Sequence, residues 1–199
     1  IRESVETARQ QELLCFDFAQ DYGFGRAQKM MGDFGTEGLM ISAKFTPFGK
    51  YKPGQVRRSL QKDLDDFHRD SVDTYWLHLP NDIEQNLAEM ICLYHEGKIR
   101  HIGVSNFDLE ECRQAKHILD RAGIPLYGVQ NHYSLINREW EENGVVAWCL
   151  ENNVRFWAWA VLEEGMLVDP RVKTGGSIMK VLFNRKKRKL FPLYVAVRK

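Results

Sequence analysis

The sequence predicts an α/β protein of the (β/α)8 TIM-barrel class, incomplete, with about six strands present. Three observations carry this. Short apolar runs alternate with stretches of helical period along nearly the whole chain, the pattern of parallel α/β folds. The runs end at Asp17, Lys44, His78, Ser105, Gln130 and Trp159, spaced by roughly 25 to 35 residues, about one β-α unit. A barrel gathers its functional side chains at such strand ends, on one rim. A doubly wound open sheet would alternate in the same way, but it carries a G-x-G-x-x-G phosphate loop after its first strand. Gly23-Phe24-Gly25 offers only two glycines, so the barrel is favoured.

Taken in order, residues 3–14 read as a helix running into a short strand over 14–19. The glycine turn at 23–25 breaks the chain before a helix over 26–34, and a second strand spans 39–44. A loop rich in turn residues (47–54) precedes Val56, Leu60, Leu64 and Phe67, which recur at helical spacing. The third strand, 72–78, is stopped by Pro80. Asp82 is placed to cap the next helix, which ends at Gly97. A strand over 100–105 leads to Asp108 as the cap of a helix reaching Gly123. Strands over 126–130 and 154–159 bracket a helix over 139–151, and the basic stretch 177–199 reads as one more helix.

At 199 residues and 44% hydrophobic, residues 1–199 can form one domain around one sizeable core. A net charge of +1 gives no general attraction to nucleic acid or an anionic membrane. No run approaches the roughly 20 apolar residues of a membrane-spanning helix, and the first residues lack the apolar core of a signal peptide. Cys15, Cys92, Cys112 and Cys149 are scattered, without a C-x-x-C pair or metal-ligand spacing. The expectation is a cytoplasmic protein with reduced thiols and no metal site. Arg185-Lys186-Lys187-Arg188-Lys189 has no interleaved aromatics, so it reads as a solvated helix face rather than a nucleic-acid site.

Asp17 and Tyr22 flank one strand end, and Lys44 and His78 close the next two strands. Singly, each has an ordinary reading as a turn former, a rim lysine or a satisfied histidine. Together they supply what hydride transfer to a carbonyl requires. Charge builds on the carbonyl oxygen, so a proton donor must be in place. A tyrosine serves if a neighbouring lysine lowers its pKa; a carboxylate holds that lysine charged, and a histidine orients the carbonyl.

The residues also carry a resemblance. Gly97-Lys98-Ile99-Arg100-His101-Ile102-Gly103-Val104-Ser105-Asn106-Phe107 resembles, nearly residue for residue, a signature of the aldo-keto reductases. Phe16-Asp17-Phe18-Ala19-Gln20-Asp21-Tyr22-Gly23-Phe24-Gly25, Ser42-Ala43-Lys44 and Tyr75-Trp76-Leu77-His78-Leu79-Pro80 are similar to the segments bearing that family's Asp, Tyr, Lys and His. Val129-Gln130-Asn131-His132-Tyr133-Ser134-Leu135 and Ala158-Trp159-Ala160-Val161-Leu162 look like its sixth- and seventh-strand motifs. The resemblance implies reversible reduction of an aldehyde or ketone by NADPH, without metal. Tyr22 would be the proton donor, with Asp17 and Lys44 tuning it and His78 orienting a small-molecule carbonyl substrate. Ser105, Asn106 and Gln130 would hydrogen-bond the nicotinamide carboxamide, and Trp159 would stack on its ring. NADH stays open beside NADPH, because the segment that decides is the one around strand eight. Phe48 and Tyr51 are candidate pocket-lining residues.

Phe18 replaces a small Thr, and Ala27-Gln28 stand where the family commonly has a polar residue and Glu. Residue 1 already lies in what resembles the first helix, there is no initiator Met, and strands one and eight are lacking. These points lead to the expectation of a fragment of a longer chain. A cofactor-binding regulatory protein and an inert fragment remain as alternatives, and neither the substrate nor the oligomeric state is readable.

Overall fold

The alternation of apolar runs and helical stretches is realised as a parallel sheet laid down in chain order. The computed structural model describes residues 2–165 and 167. Helix α1 (Arg2–Gln10) leads to β1 (Cys15–Asp17), a 3-10 turn (Tyr22–Phe24), α2 (Ala27–Phe34), β2 (Met40–Phe45), α3 (Gln55–Phe67) and β3 (Val72–Leu77). Then come α4 (Ile83–His95), β4 (Ile99–Ser105), α5 (Leu109–Arg121), β5 (Gly128–His132), α6 (Glu139–Glu142), α7 (Val145–Glu151) and β6 (Arg155–Trp159). The strands lie in the order β1-β2-β3-β4-β5-β6, and each neighbouring pair is parallel.

This sheet is curled into part of a barrel, and two contacts prove it. Adjacent strands lie about 4.8 Å apart, so on a flat sheet side chains of β3 and β6 would be well beyond contact. The rings of Trp76 on β3 and Trp157 on β6 nevertheless meet at 5.2 Å. Gln130 Nε2 on β5 donates to Asp17 Oδ2 on β1 at 3.2 Å, across four strand intervals. The curl closes tightly enough that position 103 must be glycine. A Cβ there would sit 2.3 Å from the Trp76 ring.

Period-two alternation sorts the strand side chains into two sets. Ile41, Ala43, Tyr75, Leu77, Ile102, Val104 and Val129 are buried beneath the helices, against residues such as Val56, Leu60, Leu87, Met90, Ala115 and Leu119. The other set faces the barrel interior. It includes Ser42, Lys44, Trp76, Ser105, Gln130 and Trp157, which the register brings to neighbouring levels.

Several boundaries differ from the sequence expectation. α1 stops at Gln10, leaving Leu13 and Leu14 exposed, and β1 is three residues long, paired on one side only among the described residues. The helix predicted over 139–151 is two helices, because Gly144 takes φ 89° between them. β5 begins later than predicted: Ile124 and Leu126 are buried next to α5, and the ladder starts where Tyr127 N donates to Ile102 O. Asp108 caps α5 as expected, in a full capping box with Glu111. Asp82 does not cap α4. It sits at φ 45°, and its carboxylate accepts instead from Tyr51 N at 2.9 Å, tying down the 47–54 loop. The helix expected over 177–199 lies outside the described residues.

Candidate active site

The barrel's C-terminal rim is built around Asp17. This carboxylate ends β1 and forms an ion pair with Lys44 Nζ from β2. Ser42 Oγ donates to Asp17 Oδ1 at 2.6 Å, and Gln130 Nε2 donates to Oδ2. Ser42 in turn accepts from the Trp76 indole N–H at 2.7 Å. Asp17 is thus fixed from β2 and β5 directly and from β3 through Ser42, so it cannot rotate without breaking three polar contacts.

Lys44 is 2% exposed. Besides Asp17, its ammonium donates to Phe18 O at 3.2 Å. Burial pulls its pKa below the ordinary lysine value, and the Asp17 charge opposes that pull. The Tyr22 ring lies 5.7 Å from Nζ, centroid to nitrogen. Tyr22 is carried by the 3-10 turn, which needs left-handed backbone at Gly23, Phe24 and Gly25 in succession. At 46% exposed, it is the most open member of the group.

The expected lowering of the Tyr22 pKa is not what this arrangement produces. Burial raises it, and the charges of Asp17 and Asp21 raise it further. The Lys44 ammonium directs two of its three N–H groups to Asp17 and Phe18 O. His78 closes the group. Its Nδ1 pairs with Thr46 Oγ1 at 2.8 Å, and burial, then the Lys44 charge, lowers its pKa, so the imidazole is neutral at neutral pH.

Ser105, Asn106 and Gln130 form an adjoining cluster. Ser105 Oγ donates to Gln130 O at 2.7 Å, and Asn106 Nδ2 donates to both His78 O and Ser105 Oγ. Asn106 adopts φ 61°, a conformation asparagine tolerates better than most residues. Gln130 is 3% exposed, and its Oε1 is buried without a donor. Trp159 stands apart from these seven, at the end of β6. It is 38% exposed, with its ring stacked on His132 at 4.5 Å and 21°.

Some members of the site escaped the sequence reading. Ser42 and Trp76 orient Asp17, yet the period-two rule could have found them, since each lies two residues before a named strand-end residue. Thr46, His132 and Glu163 gave no local signal. Glu163 is buried and holds His132 Nε2 at 3.0 Å and Ser134 Oγ at 2.6 Å, so it supports the ring beneath Trp159. Of the candidate lining residues, Phe48 is exposed, while the Tyr51 hydroxyl is bound to Glu89 of α4 at 2.7 Å, which ties it to the helical layer. Gln28 donates to Ala19 O and to Asp63. A glutamate there would lose both donations and set two carboxylates face to face. Among the described residues no cluster of His, Cys, Asp and Glu is placed to hold a metal, and no helix is long and apolar enough to cross a membrane.

Many known proteins are similar to this chain in sequence or in fold. The chain is 29% identical over 180 residues to the aldo-keto reductase YhdN of Bacillus subtilis (strain 168), covering 83% of this chain and 53% of that protein. It is 25% identical over 187 residues to a chloroplastic pyridoxal reductase of Arabidopsis thaliana, covering 84% of this chain and 51% of that one. It spans about half the length of these curated relatives. Among solved structures, a thermostable aldo-keto reductase in complex with the inhibitor epalrestat superposes with a TM-score of 0.74 at 30% identity, over 82% of this chain and 61% of that one. An aldo-keto reductase of Klebsiella pneumoniae in complex with NADPH gives 0.70 at 22% identity, over 90% and 61%. The model of the aldo/keto reductase family matches residues 3–192. With nearly the whole chain matched by that model, this chain belongs to the aldo/keto reductase family.

Proposed function

We propose that this chain carries the reaction centre of a carbonyl reductase that moves a hydride from NADPH to an aldehyde or ketone, and back in alcohol oxidation. What supports this most is the convergence on Asp17: Lys44, Ser42 and Gln130 bind it while the Tyr22 ring sits beside the Lys44 ammonium. Tyr22 Oη gives its proton to the carbonyl oxygen. Its raised pKa keeps the phenol protonated through neutral pH, and it remains a far stronger acid than the alcohol being formed. Lys44 stabilises the resulting phenolate, and Asp17 keeps that ammonium in place. His78, neutral and held through Nδ1 by Thr46, directs its other ring nitrogen to the carbonyl oxygen as an orienting partner.

The residues fit a nicotinamide. Gln130 Oε1 is a buried acceptor that lacks a donor, as a carboxamide N–H would be. Ser105 and Asn106 adjoin it, and the Trp159 indole offers ring area for stacking. The bound cofactor supplies the hydride. NADPH is favoured over NADH by family habit and by the complex named for the Klebsiella relative; the same groups would hold either nicotinamide. Four unpaired thiols accord with a reducing, cytoplasmic setting.

Tyr22→Phe tests the assignment in the full protein. Carbonyl-dependent NADPH oxidation should fall by about 100-fold or more, with NADPH affinity unchanged within about twofold. Retained turnover would remove Tyr22 from the donor role. NADPH binding without any wild-type turnover would favour the regulatory alternative.

A further inference from the structure

Behind the Tyr22 turn lies a buried carboxylate that the proposed chemistry does not use. Asp63, on α3, is 1% exposed, and no ion pair reaches it among the described residues. Tyr75 Oη on β3 donates to Oδ2 at 3.2 Å, and Gln28 Nε2 on α2 donates to Oδ1 at 3.4 Å. Lys62 and Asp66, on its own helix, are the nearby charges. Both donors lead back to the turn. Ser59 Oγ lies 3.0 Å from Tyr75 Oη, and the Gln20 amide donates to Ser59 Oγ. Gln28 Nε2 also donates to Ala19 O at 3.3 Å, the same carbonyl that accepts the Tyr22 N–H at 3.0 Å.

The direction of these bonds follows from the acceptor at their end. An ionised carboxylate only accepts, so Tyr75 donates to it. The Tyr75 oxygen is then free to accept from Ser59, whose own oxygen accepts from Gln20. Each proton in the chain points toward Asp63. Protonated on Oδ2, Asp63 donates to Tyr75 Oη, and the Tyr75 proton must turn away toward Ser59, reversing the chain; protonated on Oδ1, it faces the Gln28 amide, which has only protons to offer there.

We propose that Asp63 is a positioning residue for Tyr22: its charged carboxylate holds the Ala19–Gln20 seat of the Tyr22 turn, and protonation of Asp63 loosens that seat. This rests on the reading of Tyr22 as proton donor. Burial pushes the Asp63 carboxyl up to about 7, against the pull of Tyr75, Lys62 and Gln28, so the seat changes within the working range of a neutral-pH enzyme.

The test uses the full protein made with tyrosine labelled at the ring carbon bearing the hydroxyl, with Tyr22→Phe assigning the signal. In wild type the Tyr22 resonance should shift in a step near pH 7, distinct from that of His78, whose pKa lies below the ordinary histidine value. Asp63→Asn should erase that step. It should also lower kcat about tenfold, leave NADPH affinity unchanged and remove the acid limb of the kcat profile. Tyr75→Phe withdraws a hydrogen bond from the carboxylate, so it should move the step to higher pH. A Tyr22 resonance without the step, a step surviving Asp63→Asn, or an unmoved midpoint in Tyr75→Phe would overturn the proposal. Wild type with the step but no carbonyl turnover would keep the seat and overturn the reductase reading instead.

Discussion

Lys44 shows how much one residue's behaviour depends on its burial. A lysine at a strand end is ordinarily a rim cation with its ammonium in water. Here it is 2% exposed, and Asp17 supplies the compensating charge. Lys44→Met should cost about 3 kcal/mol of unfolding free energy, toward the lower end for a broken buried pair because Asp17 keeps some access to water. Asp17→Asn should cost a similar amount. The double variant should cost clearly less than the two together, since each single change leaves one charge unpaired. Urea unfolding of the four proteins measures this, and strict additivity would mean that the pair is not coupled. That Lys44 and Asp17 belong together was legible from the sequence. That burial and the Asp17 and Asp21 charges would raise the Tyr22 pKa was not, because this depends on what packs around the phenol.

At the scale of elements, the helix starts separate what is local from what is not. α5 is capped by its own sequence: Glu111 N donates to Asp108 Oδ1 at 2.9 Å, and Glu111 returns a carboxylate to Asp108 N. That signal was visible as Asp-x-x-Glu. α3 has no cap of its own, because Gly54 precedes it. Its first N–H groups are satisfied by Glu89 of α4, which accepts from Gly54 N at 2.6 Å, Val56 N at 3.0 Å and Arg57 N at 3.3 Å. No reading of residues 50–60 alone could find this partner. Asp108→Ala should cost about 1 kcal/mol. Glu89→Ala should cost more, about 2 kcal/mol, because a charged acceptor of several orphan donors is lost. Thermal unfolding distinguishes the two, and the reverse ranking would show that the shared cap carries little of α3. Asp82 went the other way: it had the residue type of a cap but was taken by Tyr51 N of the neighbouring loop.

For the molecule as a whole, Asp63 sets stability against function. Its carboxyl is raised from 3.8 to about 7 by burial, so the folded state binds its proton more tightly than the unfolded chain does. The sign follows: its contribution to stability is unpenalised below about pH 4, falls as pH rises toward 7, and levels off above. The penalty is on the order of 4 kcal/mol. Asp63→Asn should therefore raise Tm at pH 8 and have little effect at pH 4. A Tm difference that does not grow between these values would show that Asp63 titrates normally. The ionised form that destabilises the fold is the one that seats Tyr22, a trade-off common where a site needs a buried charge.

The sequence by itself determined the succession of strands and helices and the strand-end positions of Asp17, Lys44, His78, Ser105 and Gln130. These follow from periodicity, turn residues and caps, which act over a few neighbouring residues. The tertiary structure decided which of these side chains meet and in what state. Gln130 reaches Asp17 across four strand intervals. His132 and Glu163 support Trp159, Tyr22 becomes a weaker acid, and Asp63 becomes a neutral-range one. Curl brings residues remote in sequence within hydrogen-bond reach, and desolvation sums over everything that packs around a group; neither is written in any local stretch of the chain.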